Sequence, residues 1–185
     1  MKKIEVSIVA MAESQSKSGH YVMVLEDPKS KLRVPIIIGT AEAQAIAMPI
    51  EKIFPQRPLT HDLFHNVLNQ LQTKLKEVII NAFENDIFHA ILIFQDTKGS
   101  IIQIDARPSD AVALAIRFNC QIYIDAFVLE TCGYAIDEKS REKKGSYAEY
   151  TLAELEDLLE KILKKEDYES ATRVRDAIER RKGLK

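Results

Sequence analysis

Asp105-Ala106-Arg107-Pro108-Ser109-Asp110-Ala111-Val112-Ala113-Leu114-Ala115-Ile116 carries the end of a strand into the start of a helix. Ile101, Ile102 and Ile104 precede it as strand residues, and Pro108 stands where a helix opens. Proline fits the first helical position because its φ is already helical and its missing N–H would have had no intrahelical acceptor. Ala111, Leu114, Ala115 and Phe118 then recur at the spacing of a buried helical face. Ser109 and Asp110 fall in the first turn, where backbone N–H groups are free and the helix dipole favours negative charge. Asp105 and Arg107 flank the turn. The plainer reading is a capped helix with a local Arg–carboxylate pair. The sharper one is the corner of an active site.

A chain of 185 residues holds one good-sized core, or one core and a small appendage. Apolar residues make up 46% and charged residues 29%, the balance of an ordinary globular protein. The formal net charge of −2 excludes a global basic field that would draw nucleic acid non-specifically. Residues 1–150 hold 17 Lys and Arg against 19 Asp and Glu, and the remainder 9 against 9, so any nucleic-acid contact must be local. Cys120 and Cys132 are too few for a disulfide framework, and Cys120 reads as a small buried hydrophobe. Met1-Lys2-Lys3-Ile4-Glu5 leads straight into an alternating pattern without an apolar leader, and no stretch is long enough to span a bilayer. The expected compartment is the cytoplasm.

Along the chain, Ile4, Val6, Ile8 and Ala10 alternate with polar residues as a strand. A polar loop over Glu13–Gly19, a strand over Tyr21–Leu25, a turn at Glu26-Asp27-Pro28-Lys29 and a strand over Leu32–Ile38 complete an antiparallel meander. Thr40 is the expected cap of a helix bearing Glu42, Ala43, Ile46 and Ala47, which Pro49 should end or kink. After Phe54-Pro55-Gln56-Arg57-Pro58, Thr60 is the expected cap of a helix with His61 and Asp62 in its first turn and Leu63, Phe64, Val67, Leu68 and Leu71 beyond. A second meander follows: Val78–Ala82, a turn at Glu84-Asn85-Asp86, Ile87–Phe94, a turn at Gln95-Asp96-Thr97-Lys98-Gly99, and Ile101–Ile104. The helix after Pro108 and a strand over Gln121–Asp125 close the series, which defines an α+β fold with helices packed on antiparallel or mixed sheets.

The expected organisation is an α+β domain over 1–134, a polar linker over 135–150 and a helical hairpin over 151–185. Asp137 to Gly145 carries no apolar residue to anchor it. Thr151 with Glu154 is a capping-box signature, and Leu152, Leu155, Leu158, Leu159, Ile162 and Leu163 form one apolar stripe. Tyr168, Ala171, Val174, Ala177 and Ile178 form another. Arg180, Arg181 and Lys182 suit the negative helix end and Gly183 a terminus. So short a hairpin buries little and calls for a partner or a second copy.

Glu42, Asp62 and Asp110 each occupy the first turn of a helix, and Arg-Pro precedes two of them as Arg57-Pro58 and Arg107-Pro108. Convergence of these starts would assemble carboxylates, two guanidinium groups, His61 and free N–H donors. Phosphate would be drawn by the arginines and N–H groups and repelled by the acids. A hard divalent cation resolves that conflict: Glu42, Asp62 and Asp110 as hypothetical ligands of Mg²⁺ or Mn²⁺, Arg57 or Arg107 on the developing charge, His61 as base or proton donor. The expected chemistry is phosphodiester hydrolysis. Each residue also has a plainer role: the acids complement helix dipoles, the arginines tie loops to carboxylates, and His61 is a surface residue. His20, His65 and His89 have no supporting spacing and read as structural. No phosphate-binding glycine loop, zinc-ligand cysteine pair or Gly-x-Ser-x-Gly elbow is present.

Three stretches together resemble the bifunctional nuclease family: Val34-Pro35-Ile36-Ile37-Ile38-Gly39 with Glu42-Ala43-Gln44-Ala45-Ile46, Arg57-Pro58-Leu59-Thr60-His61-Asp62-Leu63, and Asp105-Ala106-Arg107-Pro108-Ser109-Asp110-Ala111. The resemblance spans about residues 3–132 and implies a compact α+β domain, often oligomeric, with nuclease activity on DNA and RNA attributed to some members. The matching signature positions are Glu42, Arg57, Thr60, His61, Asp62, Asp105, Arg107, Ser109 and Asp110. Glu84-Asn85-Asp86-Ile87-Phe88-His89-Ala90 stands where the family often has a glycine-containing hairpin, and Pro49 interrupts the first helix. The tail, Leu152 to Lys182, resembles the UVR motif, a helical hairpin through which bacterial excision-repair subunits associate, with Tyr168 where phenylalanine is usual and Thr172 where a second alanine is usual.

Two readings follow. In the first, a nuclease for DNA or RNA, metal-assisted or acid–base, works through Glu42, Arg57, His61, Asp62, Asp105, Arg107 and Asp110, with the hairpin engaging a protein partner or a second copy and no membrane involved. In the second, the domain is a non-catalytic interaction or regulatory module whose charged motifs brace helix starts. No organic cofactor is expected in either.

Overall fold

The computed structural model describes residues 1–15, 17–135, 152–163, 174, 175, 178 and 179. The chain divides into two units, Met1–Ala135 and Ile136–Lys185. In the first, the elements are β1 (Lys3–Glu13), β2 (His20–Glu26), β3 (Leu32–Gly39), α1 (Thr40–Ile50), α2 (Thr60–Gln70), β4 (Lys74–Glu84), β5 (Ile87–Gln95), β6 (Ile101–Ala106), α3 (Pro108–Phe118), β7 (Gln121–Asp125), α4 (Ala126–Cys132) and β8 (Tyr134–Ala135). This is the expected α+β class; α4 and β8 were not foreseen from the sequence.

All the described strands join one mixed sheet of order β6-β5-β4-β7-β1-β2-β3-β8. The two meanders, β1-β2-β3 and β4-β5-β6, are antiparallel throughout. β7 joins them, running antiparallel to β1 and parallel to β4. The β4–β5 hairpin turns on Asn85 and Asp86, both at positive φ (51° and 62°). That is the conformation a two-residue hairpin needs, and Asn and Asp tolerate it better than other non-glycine residues. The β2–β3 turn is held by Asp27, whose carboxylate accepts from the backbone N–H groups of Lys29 and Ser30 and from the Ser30 hydroxyl.

Strand alternation directs Val6, Met23, Leu25, Val34, Ile36, Ile38, Val78, Ile80, Leu92, Phe94 and Ile124 into one core, capped by Ala43, Ala45 and Ile46 of α1, Ala111–Ala115 of α3, and Val128 and Leu129 of α4. Five consecutive buried residues show that α3 is enclosed on all sides, more than its amphipathic spacing indicates. Small side chains allow this, because alanine lets neighbouring backbones approach. Asn119, in the left-handed conformation at φ 51°, ends the helix, and Cys120 N–H donates back to the Ala115 carbonyl at 3.0 Å.

α2 departs from expectation. None of its residues is buried, and Leu63, Phe64, Val67 and Leu71 are exposed, with only Leu68 packed against the core. Its main neighbour is α3, so the apolar stripe that reads as a core face lies on the surface of this unit. β6 is an edge strand with Ile101, Ile102 and Ile104 exposed.

In the second unit, α5 (Leu152–Leu163) is a helix, Val174, Arg175, Ile178 and Glu179 are helical, and Leu155, Val174 and Ile178 are buried. The linker over Asp137–Gly145, the Thr151 cap, Tyr168, Ala171, Ala177 and the Arg180–Gly183 terminus lie outside the described residues.

Candidate functional site

α1 and α3 open on the same side of the sheet, and their first turns meet through Arg107, the residue before α3. Its Nε–H donates to Asp110 Oδ2 (2.7 Å), Nη1 to Glu42 Oε1 (2.9 Å) and Nη2 to Asp110 Oδ1 (3.2 Å). α2 adds His61, whose Nε2 lies 3.1 Å from Asp110 Oδ1. A carboxylate only accepts, so Nε2 carries the proton in this contact and Nδ1 holds the lone pair when the ring is neutral. Glu42, His61, Arg107 and Asp110 are thus brought together, and with Pro58, Leu59 and Thr60 they line a cavity of about 580 Å³. Three of the five guanidinium N–H groups are engaged, yet the Arg107 side chain remains 66% exposed. The guanidinium is therefore oriented and still accessible to a ligand.

Burial works to raise the Asp110 pKa, but the hydrogen bonds from Arg107 and His61 outweigh it and hold the carboxyl below its ordinary value. The Asp110 hydrogen bond in turn raises the Arg107 pKa. Asp110 is an anion throughout the neutral range.

Asp62 lies beside this group with different partners. One oxygen accepts from Leu59 N–H (2.9 Å), the carboxylate at the third helical position closing back on the residue before the helix. The other accepts from Arg117 Nε (2.7 Å). Leu59 and Gly39, rather than Thr60 and Thr40, precede the two helices; Thr40 donates its hydroxyl to the Gly19 carbonyl instead. Arg117 is the residue that the sequence reading missed. Its side chain is 7% exposed, and Nη1 donates to the carbonyls of Ala45 (2.8 Å) and Ala113 (2.9 Å). Ala45 is four residues before Pro49, which has no N–H to give, so the proline frees the carbonyl that Arg117 takes. Pro49 accordingly stands in the last turn, with α1 ending at Ile50. The available signal was an arginine two helical turns after Asp110, at the end of an otherwise apolar helix.

Two expected site residues stand apart. Asp105, on β6, pairs with Ile91 of β5. Its neighbour Ala106 packs on the core, so strand alternation puts Asp105 on the face of the sheet away from the helices. Arg57 is exposed in the α1–α2 connection and has no hydrogen-bond or ion-pair partner among the described residues. His65, read as structural, packs edge-on against Phe118 at 4.5 Å, and Asn69 Nδ2 lies 3.0 Å from its Nε2. The Cys120 thiol is pushed up to about 11 by burial, as suits a small core residue.

The carboxylates do not fit a divalent cation held jointly by Glu42, Asp62 and Asp110. Among the described residues no three His, Cys, Asp or Glu side chains gather as such a group. Glu42 and Asp110 close on Arg107, and Asp62 closes on Arg117 and Leu59 N–H.

Gly39 sets the position of Glu42. Its backbone is ordinary (φ −77°, ψ 169°), but a Cβ there would collide with the Glu42 carboxylate. Gly39→Ala should therefore leave stability within about 0.5 kcal/mol while displacing Glu42 from Arg107. If Arg107 acts in catalysis, hydrolytic activity should fall about tenfold against an unchanged melting curve.

The chain belongs to the bifunctional nuclease domain family, whose model matches residues 23–137. It is similar to the uncharacterized proteins MT1877 of Mycobacterium tuberculosis strain CDC 1551 / Oshkosh and Rv1829 of strain H37Rv. Each is 38% identical over 158 residues, covering 85% of this chain and 90% of the relative.

Proposed function

We propose that the domain is a nuclease that hydrolyses phosphodiester bonds of DNA or RNA by acid–base chemistry at the His61–Asp110–Arg107 group. The observation that carries this reading is the 3.1 Å contact between His61 Nε2 and Asp110 Oδ1, beside an exposed guanidinium fixed by two carboxylates. Asp110 holds the imidazole with Nδ1 as the free base. His61 takes a proton from water as its oxygen attacks phosphorus. The bond from phosphorus to the leaving sugar oxygen breaks, and the same imidazole returns the proton to that oxygen. The remaining N–H groups of Arg107 bind the charge that builds on the non-bridging oxygens. Glu42 holds Arg107 in place, and Asp62 with Arg117 fixes the start of α2 and hence His61. No step is assigned to Mg²⁺ or Mn²⁺, because a cation at Glu42 and Asp110 would have to displace the guanidinium.

Partners form part of the same proposal. A second copy is proposed to cover the α2 stripe and the β6 edge, a reading supported by the exposed Leu63, Phe64, Val67, Leu71, Ile102 and Ile104. The hairpin read over 151–185 is proposed to hold a protein partner, as a UVR motif does; the apolar stripe of α5 supports it. Cytoplasmic location is supported by the unpaired Cys120 and Cys132, and no described helix is long and apolar enough to cross a membrane.

The test is hydrolysis of end-labelled single-stranded DNA and RNA by the full chain, in chelator and with added Mg²⁺ or Mn²⁺. Cleavage that continues in chelator supports the acid–base route. Cleavage that requires metal overturns that route and would mean that Arg107 gives way to a cation. Absence of cleavage under every condition favours the interaction module, in which the ion pairs only brace helix starts.

A further inference from the structure

A second cavity, of about 600 Å³, lies on the other side of the Arg107–Glu42 pair, and both residues line it as well. Pro108 and Ser109 place the opening turn of α3 in its wall. Pro108 has no N–H, Ala111 N–H is the first to bond within the helix, to the Arg107 carbonyl, and no side chain caps the start. The N–H groups of Ser109 and Asp110 are thus unpartnered among the described residues. Ser109 itself is only 6% exposed, yet its hydroxyl has no hydrogen-bond partner among them either. The single sealed, unpartnered side-chain atom among the described residues is Asn81 Oδ1, so the Ser109 hydroxyl is open to the cavity it lines. A buried hydroxyl and two free N–H groups at the positive end of an eleven-residue helix form a receptor for an anion.

The rest of the wall selects which anion. Lys17 and Arg107 supply positive charge and His20 a polar ring, while the Glu42 carboxylate is held by Arg107 and Asp86 lies on the exposed β4–β5 turn. Ile37 and Ile87 are exposed apolar surface on this cavity, next to the Phe83–Phe88 ring pair at 4.5 Å. A free inorganic ion makes no use of that apolar wall. A nucleotide uses both parts, with its phosphate on Ser109 and its base on the isoleucines and Phe88. A base paired and stacked within a duplex cannot enter.

We infer that the Ser109 cavity binds the nucleotide flanking the cleaved bond, so that a single strand crosses Arg107 from one cavity to the other. The inference rests on the nuclease reading and supplies its substrate class, single-stranded rather than double-stranded nucleic acid.

Binding of a short fluorescein-labelled oligothymidylate to the full chain, followed by anisotropy in chelator, tests it. Lys17→Gln and Ile87→Glu change exposed residues, and Ser109→Ala removes one oxygen. Ile87→Glu should weaken binding about tenfold and Ser109→Ala about threefold. Lys17→Gln should lower the salt slope of binding by about one. An unlabelled duplex should compete far less well than the single strand. Unaltered binding in all three variants, equal competition by duplex, or no binding by the wild type would overturn the inference. Binding that follows this pattern without any hydrolysis would leave the cavity standing and remove the nuclease reading. Hydrolysis with unaltered binding across the variants would do the reverse.

Discussion

Asp110→Asn should reduce hydrolysis of single-stranded substrate by about 100-fold or more, with a stability change within about 1 kcal/mol. The substitution keeps the shape of the side chain and removes its charge. An amide N–H turned toward His61 would make Nε2 an acceptor, so the ring would carry its proton on Nδ1, the atom assigned as base. The Arg107 guanidinium would also lose its anionic partner, keeping a neutral acceptor for Nε and losing the one for Nη2. Both effects act on turnover more than on binding, so kcat should fall with KM little changed, beside a thermal melt close to wild type. Activity within about threefold of wild type would mean that the pair braces α2 against α3 and does no chemistry.

Arg117→Met should produce the largest loss of stability among these changes, about 2–3 kcal/mol in urea unfolding. The arginine is almost fully buried and bonds Asp62 and two main-chain carbonyls on α1 and α3. Methionine fills the volume but leaves the Ala45 carbonyl and one Asp62 oxygen without a donor, while Leu59 N–H keeps the other Asp62 oxygen. Asp62 is partly exposed, so water recovers some of the loss and the figure stays below that for a sealed pair. Asp62→Asn in both backgrounds would measure the coupling directly. The pair also sets an acid limit. Burial works to raise the Asp62 pKa, but Leu59 N–H and Arg117 outweigh it and the folded value is lowered. A lowered folded value means that this contribution is whole above the unfolded pKa, about 4, and is lost as pH falls through the folded one. The Met variant should show a correspondingly shallower fall in stability with acid.

The two meanders and the helix opening at Pro108 were legible because period-two alternation and proline punctuation are local signals. The meeting of Glu42, Asp62 and Asp110, with His61 beside them, was supposed from three similar helix starts; the structure gathers Glu42, His61 and Asp110 around Arg107 and gives Asp62 separate partners. Asp105 did not follow, since being adjacent to Arg107 in sequence says nothing of which face of a strand a side chain takes. Arg57 did not follow because an Arg-Pro dipeptide before a helix need not turn its guanidinium inward. Arg117 escaped notice because its partners are a carboxylate and two carbonyls distant in sequence or hidden in helices. The α2 stripe shows the same limit. Amphipathic spacing identifies an apolar face, and only the exposure of Leu63, Phe64, Val67 and Leu71 shows that most of it is left uncovered among the described residues.

The place of β7 governs the order in which the molecule can be made. Lys3 pairs with Asp125 and Glu77 with Gln121, so the strand at the centre of the sheet is nearly the last of the domain to leave the ribosome. Each meander closes on neighbours in sequence and can form early; their union must wait for a contact across almost the whole domain, the kind of closure that slows folding. Until Gln121–Asp125 emerges, β1 and β4 present two open, apolar edges. A chain arrested before that point would hold two half-sheets able to pair with those of other nascent chains.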